Sequence, residues 1–406
     1  MNAHGACLLE EDGRYYLFGE YKTDDVNEFA GFSCYSSEDL ANWRFEKIVL
    51  PRQADGLLGP GRVGERVKVM RSASTGRYSM YFHSDNGNYQ DPIIGLATSD
   101  TITGDYAITG PLTFKDQPIR RWDIGSFQDD DGTAYLLVHE GDIYRLSPDL
   151  LTAEELVTRG IAPGGESPTM VKTGGTYFML FSHKTSWESN DNFHLSAPSL
   201  NGPWTYQGVF APDGSQTCNS QSTFSFQLTL ESGKTLPIYM GDRWSYPHQA
   251  SAATYVWQPL TTKKGRLEIA TFASSWNPKT GNTVEVAGPG IKIDFESDLA
   301  GETLEVPFDG SGITLMGTAQ PNGAYACIDI MDSKENCITS SYVSFYAKVP
   351  EHGYRYVSPQ LTPGTYRLVL TVDGALIEWS DKRGERFGSA GTKVSVTGLT
   401  VHTPKS

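Results

Sequence analysis

Four carboxylates stand out in this chain because each lies where a strand-like apolar run begins or ends, a place where a charge is costly unless it is used. Glu166, in Gly164-Gly-Glu-Ser-Pro-Thr-Met-Val-Lys, precedes an apolar strand. Partial desolvation there raises a carboxyl pKa towards that of a general acid. Asp123 sits in Arg121-Trp-Asp-Ile-Gly, just ahead of Asp129-Asp-Asp-Gly, which reads as a plain hairpin turn. Glu65, in Gly64-Glu-Arg-Val-Lys-Val, and Glu20, closing Tyr15-Tyr-Leu-Phe-Gly-Glu, hold comparable strand-end positions. Trp122, Trp187 and Trp244 fall near these points, and an indole face is a common partner for the apolar face of a pyranose.

These residues are far apart in the chain, so the fold must gather strand ends around one centre. A glycine, a polar residue and a tyrosine-rich apolar strand recur at Gly13, Gly76, Gly132 and Gly175, with a weaker copy at Gly233. A second phrase follows most copies: Ser36-Ser-Glu-Asp-Leu-Ala-Asn-Trp, Thr98-Ser-Asp, Ser147-Pro-Asp-Leu and Ser196-Ala-Pro-Ser-Leu-Asn-Gly-Pro-Trp. Repeats rich in short strands at this spacing predict propeller blades, and the copies predict five. An array of β-sandwiches with similar turns is the alternative. Helical signal is confined to one short turn over Leu151–Val157. Beyond about residue 280 neither phrase returns, and regularly spaced short strands predict a jelly-roll-like β-sandwich. The expected fold is all-β, with a five-bladed β-propeller over residues 1–275 and a sandwich over 276–406, joined through Ser274–Gly290.

Composition narrows the partners. The 406 residues carry 33 Lys and Arg against 48 Asp and Glu, a net charge of −15. Such a surface repels phosphate backbones and anionic membranes, so neither a nucleic-acid nor a membrane partner is expected. Oligomeric state is not readable. No apolar run approaches the roughly 20 residues of a spanning helix. The expectation is a secreted or periplasmic protein whose signal has been removed, with a cytoplasmic protein as the alternative. The five cysteines are too few and scattered for a disulfide scaffold. Cys327 and Cys337 flank a turn and could bridge across a hairpin, against a default of buried free thiols for all five.

In combination, the five-blade pattern, Ser-x-Asp-Leu-x-x-Trp, Asp129-Asp-Asp-Gly and Gly165-Glu-Ser-Pro resemble glycoside hydrolase family 43. Asn2-Ala-His-Gly, Phe18-Gly-Glu, Gly64-Glu-Arg, Asn219-Ser-Gln-Ser-Thr-Phe, Tyr239-Met-Gly-Asp-Arg-Trp and Tyr255-Val-Trp-Gln-Pro-Leu resemble its exo-β-1,3-galactanase branch. The C-terminal region resembles galactose-binding-like sandwiches. The resemblance implies an inverting hydrolase with Glu166 as acid and Asp123 tuning its pKa. The family's base, an aspartate on the first blade, is missing from Asn2-Ala-His-Gly-Ala-Cys. As in that branch, Gln221 and Glu65 are implicated instead, Gln221 positioning the water and Glu65 binding substrate or acting as base. The substrate-binding set expected with them is Glu20, His4, Trp122, Trp187, Asn190, Arg243 and Trp244.

Three departures from the branch bear on the sugar: Val67 after Glu65-Arg66, Trp122 before Asp123, and glycine at Gly141. The leading expectation is an exo-acting enzyme releasing galactose from β-1,3-galactan or arabinogalactan. A galactofuranosidase or arabinofuranosidase, and a non-catalytic carbohydrate-binding propeller, are the alternatives. The chemistry needs no cofactor. A structural calcium ion is left open, with His4 and His248 as the nearest histidines but no ligand spacing to support them.

Overall fold

The computed structural model describes residues 1–284, 290–381 and 384–403, and antiparallel strands dominate it. Five sheets follow one another over residues 4–51, 62–111, 124–158, 165–209 and 221–259, each a meander paired in chain order. The fifth has three strands, and the third gains two short strands, Thr113–Phe114 and Gln117–Pro118. The repeated glycines are the hairpin glycines between first and second strands. All five have left-handed φ, from 73° at Gly76 to 84° at Gly132, which a tight turn demands. The second phrase closes the third strand. In two copies its tryptophan ties the turn, Trp43 Nε1 donating to the Leu40 carbonyl and Trp204 Nε1 to that of Leu200, both at 3.1 Å.

The first strands of the sheets are His4–Glu11, Arg62–Arg71, Ile124–Gln128, Gly165–Thr173 and Gln221–Thr229. Each lies against the next, and the fifth lies against the first. Neighbours on both faces explain why Arg62–Arg71 is buried almost end to end, whereas the outer strand Thr205–Val209 is half-buried or exposed. One inner side chain is a fully buried cation. The Lys68 ammonium donates to the carbonyls of Gly5 (2.8 Å), Ala6 (3.0 Å) and Val67 (3.1 Å), and burial lowers its pKa to about 8.

Two four-stranded sheets form the C-terminal part. One runs in the order Gly290–Ser297, Val394–Val401, Ile313–Ala319, Glu351–Val357; the other runs Thr303–Gly310, Gly364–Val372, Tyr325–Asp332, Cys337–Ser344. Apolar side chains of both sheets, Leu315 and Val396 from one and Ile328 and Leu370 from the other, share a single core.

Some expectations are corrected. The Leu151–Val157 stretch is no helix: Ala153–Thr158 is a strand, because its backbone pairs with Asp142–Leu146. Cys327 and Cys337 do not bridge. They face Tyr342 and Met331 respectively, so register separates them, and both thiols point at Asp329 Oδ1 (3.9 and 3.8 Å). Nor are these two buried, unlike Cys7, Cys34 and Cys218. In the junction, Trp276 bridges to Thr283, and residues 285–289 lie outside the described residues.

Candidate active site

Glu65 and Glu166 lie in the opening residues of inner strands, Asp123 immediately precedes one, and Glu20 closes the second strand of the first sheet; a repeated backbone device shapes these strand openings. Register shifts interrupt the pairing at His4/Cys7, Glu65/Lys68, Glu166/Thr169 and Ser222/Phe224. Gly5 (φ 58°), Arg66 (φ 55°) and Ser167 (φ 53°) take left-handed conformations within the first three shifts. Such bulges turn a strand's side chains away from simple alternation. The strand ends thereby converge on a cavity of about 1010 Å³.

Glu166, Asp123, Gln221, Glu65, Glu20, Trp122, Trp187 and Trp244 all line it. Burial, and then the negative charge of Asp123, push the Glu166 pKa up to about 8, so this carboxyl holds its proton at neutral pH. Burial is the largest influence on Asp123 and would raise its pKa, but the Arg66 guanidinium (Nε 3.4 Å away), His83 and the Ser167 hydrogen bonds together outweigh it and keep the carboxylate charged. Its other oxygen accepts from the Ser167 N–H and Oγ, both at 2.9 Å. Glu65 is likewise held ionised against its burial, by His83 (Nδ1 at 3.4 Å) and nearby Lys22. Tyr89 Oη donates to it at 2.6 Å and Asn27 Nδ2 at 3.4 Å. Hence a proton donor and ionised carboxylates share one aromatic-walled cavity, the requirement for acid–base attack on an acetal.

Gln221 is tied on every side. Its Oε1 accepts from Arg66 Nη2 (2.6 Å) and Trp244 Nε1 (2.8 Å), while its Nε2 donates to Glu166 Oε1 (2.9 Å) and Ser182 Oγ (3.1 Å). An amide has two donors and two acceptor lone pairs, and all four are engaged by protein. Gln221 therefore ties Glu166 to Arg66, Trp244 and Ser182.

The first strand opens on His4-Gly5, with a carboxylate of the second strand beside it. A Cβ on Gly5 would lie 1.9 Å from Glu20 Oε1, so the Glu20 carboxylate already fills that space. Glu20 is fixed by the Arg66 N–H (2.8 Å) and the Lys22 ammonium (2.6 Å), and burial raises its pKa.

Three expected substrate contacts lie off the cavity wall. His4 is fully buried, 3.2 Å from Asp242 Oδ1 and stacked on Tyr255 at 4.6 Å. Asn190 braces the loop after Phe181, bonding the His183 N–H and carbonyl (3.1 and 2.9 Å). Arg243 turns to the C-terminal sheets, pairing with Glu351 at 2.6 Å. Sequence patterns missed Arg66, His83, Tyr89 and Lys184, which line the cavity and hold these carboxylates or, for Lys184, lie 5.0 Å over the Trp122 ring. The glycine at Gly141 (φ 85°) answers to packing, since a Cβ there would meet Ile161 Cγ1 at 2.4 Å.

Ligand atoms of Glu65, His83 and Asp123 lie within 4.8 Å of one another. The cluster suits a cation poorly, because His83, raised to about 9 by its carboxylate partners despite burial, is itself the cation, and Arg66 already serves Asp123. The histidines considered for calcium are engaged elsewhere: His4 with Asp242, and His248 stacked on Tyr342 at 3.9 Å.

Residues 4–209 match the model of the glycosyl hydrolases family 43. Among solved structures, a proposed exo-β-1,3-galactanase from Bifidobacterium bifidum s17 is 34% identical, over 70% of this chain and 94% of that one, with a TM-score of 0.61. The exo-β-1,3-galactanase of Phanerochaete chrysosporium, solved with galactose, is 26% identical over 98% of this chain and 95% of its own, with a TM-score of 0.69. A curated Thermoclostridium stercorarium protein, a xylosidase/arabinosidase, is 26% identical over 205 residues, 42% of either chain, so the match spans under half of that relative's length.

Proposed function

This chain belongs to glycosyl hydrolase family 43, and on that premise we propose that it is an exo-acting, inverting glycosidase releasing galactose from β-1,3-galactan or arabinogalactan side chains. The observation that carries the reading is a protonated Glu166 sharing one cavity with ionised Asp123 and Glu65. Glu166 gives its proton to the glycosidic oxygen as the bond to the anomeric carbon breaks. A water attacks that carbon from the opposite face and passes a proton to Glu65, leaving the sugar with inverted configuration. Asp123, fixed by Arg66 and Ser167, keeps the Glu166 pKa high, and Gln221 holds Glu166 in place. Trp122, Trp187 and Trp244 supply aromatic faces for the sugar. No step needs a cofactor.

The fold fits this reading as a five-bladed β-propeller over residues 1–275, supported by the cyclic packing of five inner strands, and a β-sandwich over 276–406, supported by the shared core of two sheets. A polymeric glycan as substrate accords with a secreted or periplasmic protein. The second reading, a furanosidase on the same scaffold, draws on the xylosidase/arabinosidase relative.

One assay separates them: incubate the protein with β-1,3-galactan, arabinogalactan and nitrophenyl furanosides, then identify the released sugar. Free galactose from the galactan, lost in Glu166→Gln, is the expected result. Release only from furanosides overturns the galactanase reading. No release from any substrate leaves a carbohydrate-binding protein.

A further inference from the structure

The cavity is not closed by the five sheets alone. Far along the chain, the hairpin of Glu378–Ser380 with Arg386–Gly388 brings Trp379, Glu385 and Phe387 to its wall. Trp379 and Phe387 are cross-strand partners, with rings 6.1 Å apart and 16° from parallel. Trp379 meets Tyr346 edge-on at 6.4 Å, and the Tyr346 hydroxyl donates to Glu188 Oε2 at 2.6 Å. Together with Trp187 and Tyr246 they form one apolar cluster, so the hairpin is packed onto the aromatic end of the cavity. Its base is pinned as well. The Ser389 N–H donates to the Ile377 carbonyl at 2.7 Å, an approach close enough that a Cβ on Gly388 would sit 2.0 Å from that oxygen.

Depth assigns the two ends. Glu20, Asp123 and Gln221 are at most 7% exposed, whereas in the hairpin Phe387 is half-buried and Ser380 and Glu385 are exposed, with Trp379 packed behind Phe387 at 9%. The reacting sugar therefore belongs at the buried end, and the rest of the chain must leave past the hairpin. About 1010 Å³ is at the upper end of single-ligand pockets, with room for more than one ring.

We propose that the hairpin carrying Trp379 and Phe387 forms the subsite for the neutral sugars on the leaving-group side of the scissile bond, making the C-terminal region part of the substrate cavity. This rests on the glycosidase reading above. A sugar stacked on the Phe387 ring, which Trp379 backs, makes preference for a longer substrate depend on this hairpin, whereas β-galactosyl fluoride, whose leaving group is a single ion, places no ring there.

The test compares the full-length protein with Trp379→Ala and Phe387→Ala on β-1,3-galactotriose and on β-galactosyl fluoride. The expected result is about a tenfold lower kcat/KM for the triose, carried by KM, with the fluoride within about twofold. Equal losses on both substrates, or none, overturn the inference. Calorimetric binding to Glu166→Gln with and without Phe387→Ala gives a readout independent of turnover. Galactotriose should bind about tenfold more weakly in the double variant, and galactose equally well. If the unsubstituted protein cleaves no galactoside, the glycosidase reading fails. If it cleaves galactotriose while both hairpin variants behave like it, only the hairpin inference fails. Absence of galactotriose binding in Glu166→Gln sinks both.

Discussion

The proton on Glu166 depends on a balance between burial and its charged neighbours. Burial and the Asp123 charge raise its pKa, while Arg66, the next contribution, lowers it. A general acid works only while protonated, so kcat/KM should hold through neutrality and fall as the pH rises through about 8. Asp123→Asn removes the negative charge and frees Arg66 to act on Glu166. Both changes favour the carboxylate, so the alkaline limb should move down by about 1 unit or more. A pH–rate profile of the variant checks this; an unmoved limb would show that Asp123 does not tune the acid. The carboxylates in this balance were legible in the sequence because charge in an apolar strand context is costly and invites a use. Their partners were not. Arg66, His83 and Tyr89 sit in segments where an alternating strand would send them to solvent as readily as inward. His4, Asn190 and Arg243 showed the reverse error, since nearness to a motif in the chain does not tell which way a side chain faces.

At the scale of strands, turn chemistry was readable and bulges were not. The hairpin glycines announce themselves, for an L side chain is strained at their φ. The bulges place ordinary residues, Arg66 and Ser167, in the same left-handed region, and nothing in Gly64-Glu-Arg-Val or Gly165-Glu-Ser-Pro marks that. Only the first sheet uses glycine at this bulge, and Glu20 explains why. Gly5→Ala would combine a left-handed alanine, costing about 1 kcal/mol, with a Cβ driven into the Glu20 carboxylate. Glu20 must then swing away from the Arg66 N–H. The variant should melt several degrees lower and lose activity beyond what the Tm shift explains. An equivalent substitution at Gly76, a hairpin glycine of similar φ with only the Arg71 guanidinium tip near its would-be Cβ, should cost stability alone. Circular-dichroism melting together with galactose release separates the two effects; equal activity losses at both sites would refute the special role of Gly5.

The C-terminal sheets are joined to the rest of the molecule by contacts between residues far apart in the chain, which is why their contribution to the cavity was invisible in the sequence. The two aromatics of the C-terminal hairpin, Trp379 and Phe387, acquire meaning only once docked. That docking rests on specific polar pairs. Asn219 exchanges two hydrogen bonds of 3.0 Å with the Val349 backbone, Tyr325 Oη lies 2.7 Å from Ser245 Oγ, and Arg243 joins Glu351, which also holds Arg355 at 2.8 Å. Arg243 also donates to the Cys218 carbonyl at 2.9 Å, three residues before Gln221, which opens its strand. The same side chain therefore secures the C-terminal sheets and the approach to the clamp on Glu166. Arg243→Ala removes a charge-assisted bond from a largely buried network and should destabilise the docking by about 2 kcal/mol. If docking completes the cavity, this variant should split one calorimetric unfolding transition into two and raise KM for galactotriose. β-Galactosyl fluoride, which has no ring on the leaving-group side, should respond far less. A single transition with unchanged KM would mean that the two regions are coupled by their apolar contacts, through Trp187, Tyr246 and Trp379, and not by this ion pair.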